Sequence, residues 1–159
     1  AGPLGETVPP SPPPHSYASK AASDVAIWVI GLERGASWTL PSASGGINRF
    51  LYCFSGRGLA VAGQPVPAPQ LVVVDASGSV TLAANDEAVE ILMLQGRPIA
   101  EPVAQYGPFV MNTRAELQQA FADYQRTQFG GWPWPTPDPV NGREGRFARH
   151  PDGRVERPA

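Results

Sequence analysis

One cysteine, two histidines and the lack of any long apolar run each remove a class of function from this chain of 159 residues. A lone Cys53 excludes an internal disulfide framework and favours a reducing compartment, with a bacterial cytoplasm the expected one. No stretch approaches the roughly 20 apolar residues of a membrane span, and no charged-then-apolar signal segment opens the chain, so a soluble protein without membrane partners is expected. Positive charge is sparse as well. Twelve basic residues are scattered among fourteen acidic ones, for a net charge of -2. With no stripe of lysine and arginine, direct nucleic-acid binding is not expected. Ala1-Gly2 stands where an initiator methionine would, which reads as a piece of a longer protein or a processed product. Gly2-Pro3-Leu4-Gly5 also reads as a cloning remnant.

What is present divides into three stretches. Residues 1–23 contain VPPSPPPH, in which Pro9, Pro10, Pro12, Pro13 and Pro14 remove backbone donors and favour an extended lead-in. A hydrophobic fraction of 42% supports one folded domain, expected over residues 24–130. Up to residue 103 it is a succession of short β-type runs: VAIWVIGL, ASWTL, RFLYCFS, GLAVAG, QLVVVD, SVTLAA and AVEILML. Glycine-, proline- and asparagine-rich turns separate them. That spacing predicts an all-β sandwich or barrel. In the first run Val25, Ile27 and Val29 alternate with Trp28, Ile30 and Leu32, so both faces of the strand are expected to be covered.

The segment YGPFVMNT, residues 106–113, leads into a helix. Thr113 and Glu116 have the spacing of a capping box, in which the hydroxyl accepts from the Glu116 N–H and the carboxylate reaches back to the Thr113 N–H. A helix over about 113–128 follows, with Leu117, Ala120, Phe121 and Tyr124 as an apolar stripe expected to pack on the β-domain and Gly130-Gly131 as its end. Phe109, Val110 and Met111 are expected to pin the incoming chain, with Pro108 stiffening the approach. A packed connector is favoured here over a catalytic role.

The stretch PIAEPVAQYGPFVMNTRAELQQAFADYQRTQFG, residues 98–130, resembles the signature that closes the carboxy-terminal half of pirin-like proteins, which are bicupins. Gly107, Pro108, Phe109, Met111, Asn112, Thr113 and Glu116 carry the likeness. Weaker similarity runs upstream through the Ala1-Gly2 start, GLERGASWTLP, FSGRG and ILMLQGRPI. The resemblance implies a cupin, an all-β jelly-roll-like barrel or sandwich with a carboxy-terminal α-helix, followed here by an extended Pro/Trp-rich tail over 131–159. It also implies a parent protein with iron in its amino-terminal cupin, held by three histidines and a glutamate. Such proteins are described as quercetin 2,3-dioxygenases and, in eukaryotes, as nuclear transcription cofactors.

Iron needs imidazoles and a carboxylate converging from neighbouring strands. His15 lies in the lead-in and His150 precedes the turn Pro151-Asp152-Gly153, so neither falls on a predicted barrel strand. Where a metal-binding cupin would place His-x-His the chain reads Leu40-Pro41-Ser42-Ala43-Ser44-Gly45-Gly46, and the later histidine position falls near Gln70-Leu71-Val72. No metal, cofactor or catalytic residue is therefore expected within this chain. Ser42, Ser44, Ser55, Ser77 and Ser79 lack a histidine base on the barrel, and Cys53 reads as a small buried hydrophobe. Gly56-Arg57-Gly58 opens onto GLAVAG, so it reads as a hairpin turn and not a dinucleotide fingerprint. Trp132 and Trp134, interleaved with prolines, are candidates for docking the tail, and Phe147 to Arg154 for a small terminal hairpin.

These observations read as a metal-free carboxy-terminal cupin that supports an iron-bearing amino-terminal cupin, non-enzymatic by itself. Its expected partner is that amino-terminal half or a second copy, through the strand Val25 to Leu32 or the helix flank carrying Leu117, Phe121 and Tyr124. The alternative is an autonomous, non-catalytic module for a small ligand or a protein. A dioxygenase acting alone comes third.

Overall fold

The computed structural model describes residues 1–136 and 145–157. Its chain forms two compact units, residues 1–99 and 100–159.

The first unit holds eight strands: β1 (Ala26–Leu32), β2 (Ser37–Leu40), β3 (Asn48–Ser55), β4 (Gly58–Val61), β5 (Gln64–Pro67), β6 (Gln70–Asp75), β7 (Val80–Ala84) and β8 (Val89–Gly96). They pair antiparallel into two sheets, in the orders β1-β8-β3-β6 and β2-β7-β4-β5. Successive strands change sheet at every connection except β4 to β5. Two four-stranded sheets wound in this order make a jelly roll. The core is the layer between them. Leu51, Cys53, Val89, Ile91 and Met93 from one sheet meet Leu40, Leu59, Val61, Leu82 and Ala84 from the other, and all are buried. Alternation along β3 and β8 sends every second side chain inward, as the pleat requires.

Three sequence expectations change at this level. Gly56-Arg57-Gly58 is no hairpin, because β3 and β4 lie in different sheets. It is a corner: a Cβ on Gly56 would come within 2.7 Å of the Ala88 carbonyl oxygen, and one on Gly58 within 2.4 Å of the Val66 oxygen. Only residues without a side chain pass there. Gln64-Pro65, read as part of a turn, opens β5. Prolines are tolerated in it because it is an edge strand and needs fewer backbone donors. The run Val25 to Leu32 is covered on its inner face alone. Ala26 and Leu32 are buried, whereas Ile27 and Val29 are exposed in the chain.

In the second unit, part of YGPFVMNT is itself a hairpin. β9 (Ala104–Tyr106) pairs with β10 (Phe109–Met111) across Gly107-Pro108, where Gly107 takes a φ of 56°. The helix α1 (Arg114–Thr127) then starts at the expected residue. The Thr113 hydroxyl accepts from the Glu116 N–H at 3.2 Å, and the Glu116 carboxylate accepts from the Thr113 N–H at 2.7 Å. The helix ends earlier than the glycines suggested. Gln128 and Phe129 both take left-handed φ values, 50° and 49°, a conformation that costs non-glycine residues about 1–2 kcal/mol each. Ring contacts of Phe129 with Tyr124 (5.3 Å) and Phe109 (6.0 Å) offset part of that cost. Further on, β11 (Ala148–Arg149) and β12 (Val155–Glu156) form the small terminal hairpin. The tail residues 137–144 and 158–159 lie outside the described residues.

Cys53 is 1% exposed, and burial pushes its thiol up from the usual value. The native chain should therefore resist alkylation by iodoacetamide and react stoichiometrically once unfolded in denaturant, as read by mass spectrometry. Rapid native labelling would contradict the inward placement of β3.

Candidate functional site

The inner positions of the sandwich set what chemistry it can host. Between the sheets they supply aliphatic side chains, the Trp28 and Trp38 rings, the Met93 thioether, one thiol, the Arg49 guanidinium and the Gln95 amide. Divalent iron calls for imidazole and carboxylate ligands, so this donor set does not fit it. Among the described residues no three of His, Cys, Asp and Glu converge. His15 is exposed in the lead-in, and His150 stands beside β11 with its Nε2 at 3.3 Å from the Glu156 carboxylate.

Arg49 was not singled out by sequence, and it organises one end of the sandwich. It is the first inward residue of β3 and is 1% exposed. Its Nε and Nη2 donate to Gln95 Oε1 at 2.8 and 2.5 Å, and its Nη1 donates to the Pro41 carbonyl at 2.8 Å. Gln95 in turn donates its amide to the Asp24 carboxylate and carbonyl at 3.1 and 3.2 Å. Desolvation pulls the guanidinium below its usual pKa, with the charge of Asp24 opposing. The available signal was an arginine opening the apolar run RFLYCFS, which alternation points inward.

Outside, the two sheets differ. On the sheet β1-β8-β3-β6 the register aligns Ile27, Leu94, Phe50 and Val73 in one cross-strand row and Val29, Leu92, Tyr52 and Leu71 in the next. Strands spaced about 4.8 Å apart carry these rows some 14 Å across the sheet. Phe54 extends the patch, its ring stacked at 6.5 Å from that of Tyr52. Val29 and Val73 are 67% and 69% exposed. On the other sheet the outward positions are Ser37, Thr39, Ala60, Pro65, Thr81 and Ala83, all small, polar or proline. One outer face is large and apolar; the other is not.

The helix stripe finds its partners within its own unit. Leu117 and Ala120 are buried, and Phe121 packs edge-to-face on Phe109 at 4.6 Å and on Tyr106 at 5.7 Å. The spacing assigns this stripe to the β-domain; its ring contacts are with Tyr106 and Phe109 of the hairpin β9–β10 and with Phe129. Of the signature residues, Gly107 and Pro108 turn that hairpin, Phe109 centres the aromatic cluster, Met111 ends β10 and Thr113 with Glu116 caps the helix. Asn112 donates to the Glu101 carboxylate at 2.7 Å, which ties the segment before the hairpin to the one after it.

A two-sheet jelly roll of antiparallel strands defines a cupin by fold. The comparisons narrow the class. The Pirin C-terminal cupin domain family matches residues 27–130, and the chain belongs to that family. A pirin-like protein of Caulobacter vibrioides is 43% identical over 82 residues, which cover 52% of this chain and 29% of that protein. Pirin of Mus musculus is 33% identical over 103 residues, 62% of this chain and 35% of the relative. The crystal structure of a quercetin 2,3-dioxygenase from Acinetobacter baumannii matches with a TM-score of 0.60 at 30% identity, over 73% of this chain and 42% of that one. Across the first relatives the match spans 28% to 40% of their length.

Trp132 is 58% exposed, and its indole N–H donates to the Thr136 carbonyl at 2.7 Å within the tail itself. Trp132→Ala should therefore shift the unfolding free energy by less than about 0.5 kcal/mol in a denaturant melt. A loss of several kcal/mol would mean that the ring is clamped against the fold.

Proposed function

We propose that this chain is the supporting cupin of a pirin-like bicupin, and that its task is to cover and hold an amino-terminal cupin of the same protein. The observation that carries the reading is the contrast between the two outer sheet faces. Large side chains in two unbroken rows are costly in water and favourable in an interface, on the order of 1 kcal/mol or more each when their exposed part is buried. A domain that worked alone would gain nothing from such a face. The limited span of the match to its relatives supports the same view, since those proteins are more than twice as long as the matched part. In this reading the iron, and any oxygenase chemistry on a flavonol of the quercetin class, belong to the other half. This chain supplies neither metal ligands nor a proton-transfer group to it directly. Its contribution is rigidity and exclusion of water from the shared face.

Sedimentation velocity tests the proposal. This chain, mixed with a separately expressed amino-terminal half of the same protein, should form a one-to-one species, and alone at high concentration it should self-associate through the same face. Val73→Asp together with Val29→Asp should weaken both associations at least tenfold, about 1.4 kcal/mol, while leaving the melting transition cooperative. A chain that stays monomeric at high concentration and also ignores the other half would defeat the support role.

A further inference from the structure

The edge of β1 is a second candidate surface, and it differs from the apolar face in kind: it offers backbone groups where the face offers side chains. β1 is the outermost strand of the sheet β1-β8-β3-β6, so one of its sides has no neighbouring strand. Pairing has nonetheless begun there. The Ile27 N–H donates to the Ala1 carbonyl at 2.9 Å, and the Ala1 ammonium donates to the Ile27 carbonyl at 2.9 Å. That reciprocal exchange is the mark of an antiparallel hydrogen-bonded pair. Along a strand the N–H and C=O of one residue leave on one side and those of the next on the other, so Val29 and Gly31 direct theirs the same way as Ile27. Among the described residues neither has a backbone partner on that side, and both are exposed. Their donors and acceptors stand open to a further strand.

Beside this edge lies a cavity of about 600 Å³ bordered by Leu4, Pro9, Trp28, Ile30, Leu32 and Trp38. It opens between the edge strands β1 and β2, where the Trp28 and Trp38 rings meet edge-to-face at 6.5 Å. Residues opposite one another in an antiparallel pair point to the same face. Those set against Trp28 and Ile30 would enter this cavity, and one set against Val29 would extend the outer row Val29, Leu92, Tyr52 and Leu71 by one strand. The occupant is thereby specified: an extended segment, apolar on both faces and without proline.

We infer that the amino-terminal half supplies such a strand, added antiparallel to β1 over Trp28 to Leu32 and in line with Ala1. The inference rests on the support role proposed above and gives it a second point of attachment. Because the rows of the apolar face run out to β1, the face and the edge are continuous, and one neighbour reaches both. Main-chain pairing would then fix the register of an interface that side chains alone leave free to slide.

Amide-resolved hydrogen exchange by NMR, on this chain alone and mixed with the separately expressed amino-terminal half, reads the edge directly. In the chain alone the Trp28 and Ile30 amides, which face β8, should exchange slowly, and those of Val29 and Gly31 fast. In the mixture the Val29 and Gly31 amides should slow at least about tenfold. Gly31→Pro removes an outward N–H and no side chain of the apolar face, and an edge strand tolerates proline. It should weaken the association at least about tenfold, whereas Gly31→Ala, whose Cβ meets nothing within 4 Å, should leave it within about threefold. The protection pattern still decides the matter if Gly31→Pro does not fold. A complex in which both amides stay fast, or which proline and alanine weaken equally, would overturn the added strand and leave the support role standing; no complex at all would overturn both. The same protection in the chain alone at high concentration would assign the edge to a second copy and overturn the inference as well.

Discussion

A four-stranded sheet with two apolar faces can satisfy only one of them inside its own sandwich, and most of this molecule follows from that constraint. The inner face of β1-β8-β3-β6 closes against β2-β7-β4-β5 and supplies the core. The outer face repeats the same hydrophobicity in exact cross-strand rows, so it cannot arise from a register error: a slip of one residue would carry the core side chains out to solvent and this face in. The second sheet shows what an outer face looks like when water is its permanent neighbour. Thr39 faces Thr81 across β2 and β7, and Ala60 faces Pro65 across β4 and β5.

The strands were legible because they alternate and because turns bound them. QLVVVD is β6 to the residue, and RFLYCFS and AVEILML differ from β3 and β8 by one or two positions at their ends. What could not be read locally was which sheet each strand joins. A glycine corner and a hairpin have the same composition, and the difference at Gly56 lies in the close approach of Ala88, more than thirty positions on in sequence. The β5 strand was hidden by its prolines, whose usual meaning is overridden at an edge. The capping box at Thr113 was legible because it is complete within four residues, whereas the partner of the helix stripe was not, since any apolar surface satisfies a stripe. In the same way the sequence announced a face to be covered at Val25 to Leu32, but its extent over β8, β3 and β6 needed the register.

The candidate sites divide along the same line. The scarcity of histidine bore on metal chemistry directly, because ligands are a matter of residue type. Arg49 bore on nothing until its partners were placed: Gln95 and Asp24 are 46 and 25 positions away in sequence, and neither is unusual by itself. What makes the trio notable is a charge buried behind a neutral amide, with a carboxylate one bond further on.

That arrangement also ties together one end of the sandwich. A sandwich end needs something to tie its strands together, and polar groups there must be satisfied or hydrated. Here Arg49 ties β3 to the β2–β3 loop at Pro41, Gln95 ties β8 to Asp24 just ahead of β1, and the Ser44 N–H ties Asp24 back to the same β2–β3 loop. Two strands, the loop between β2 and β3 and the segment before β1 are joined by hydrogen bonds from a single guanidinium, a single amide and one backbone N–H. Such a network, with each donor held by packing, fixes the shape of the rim.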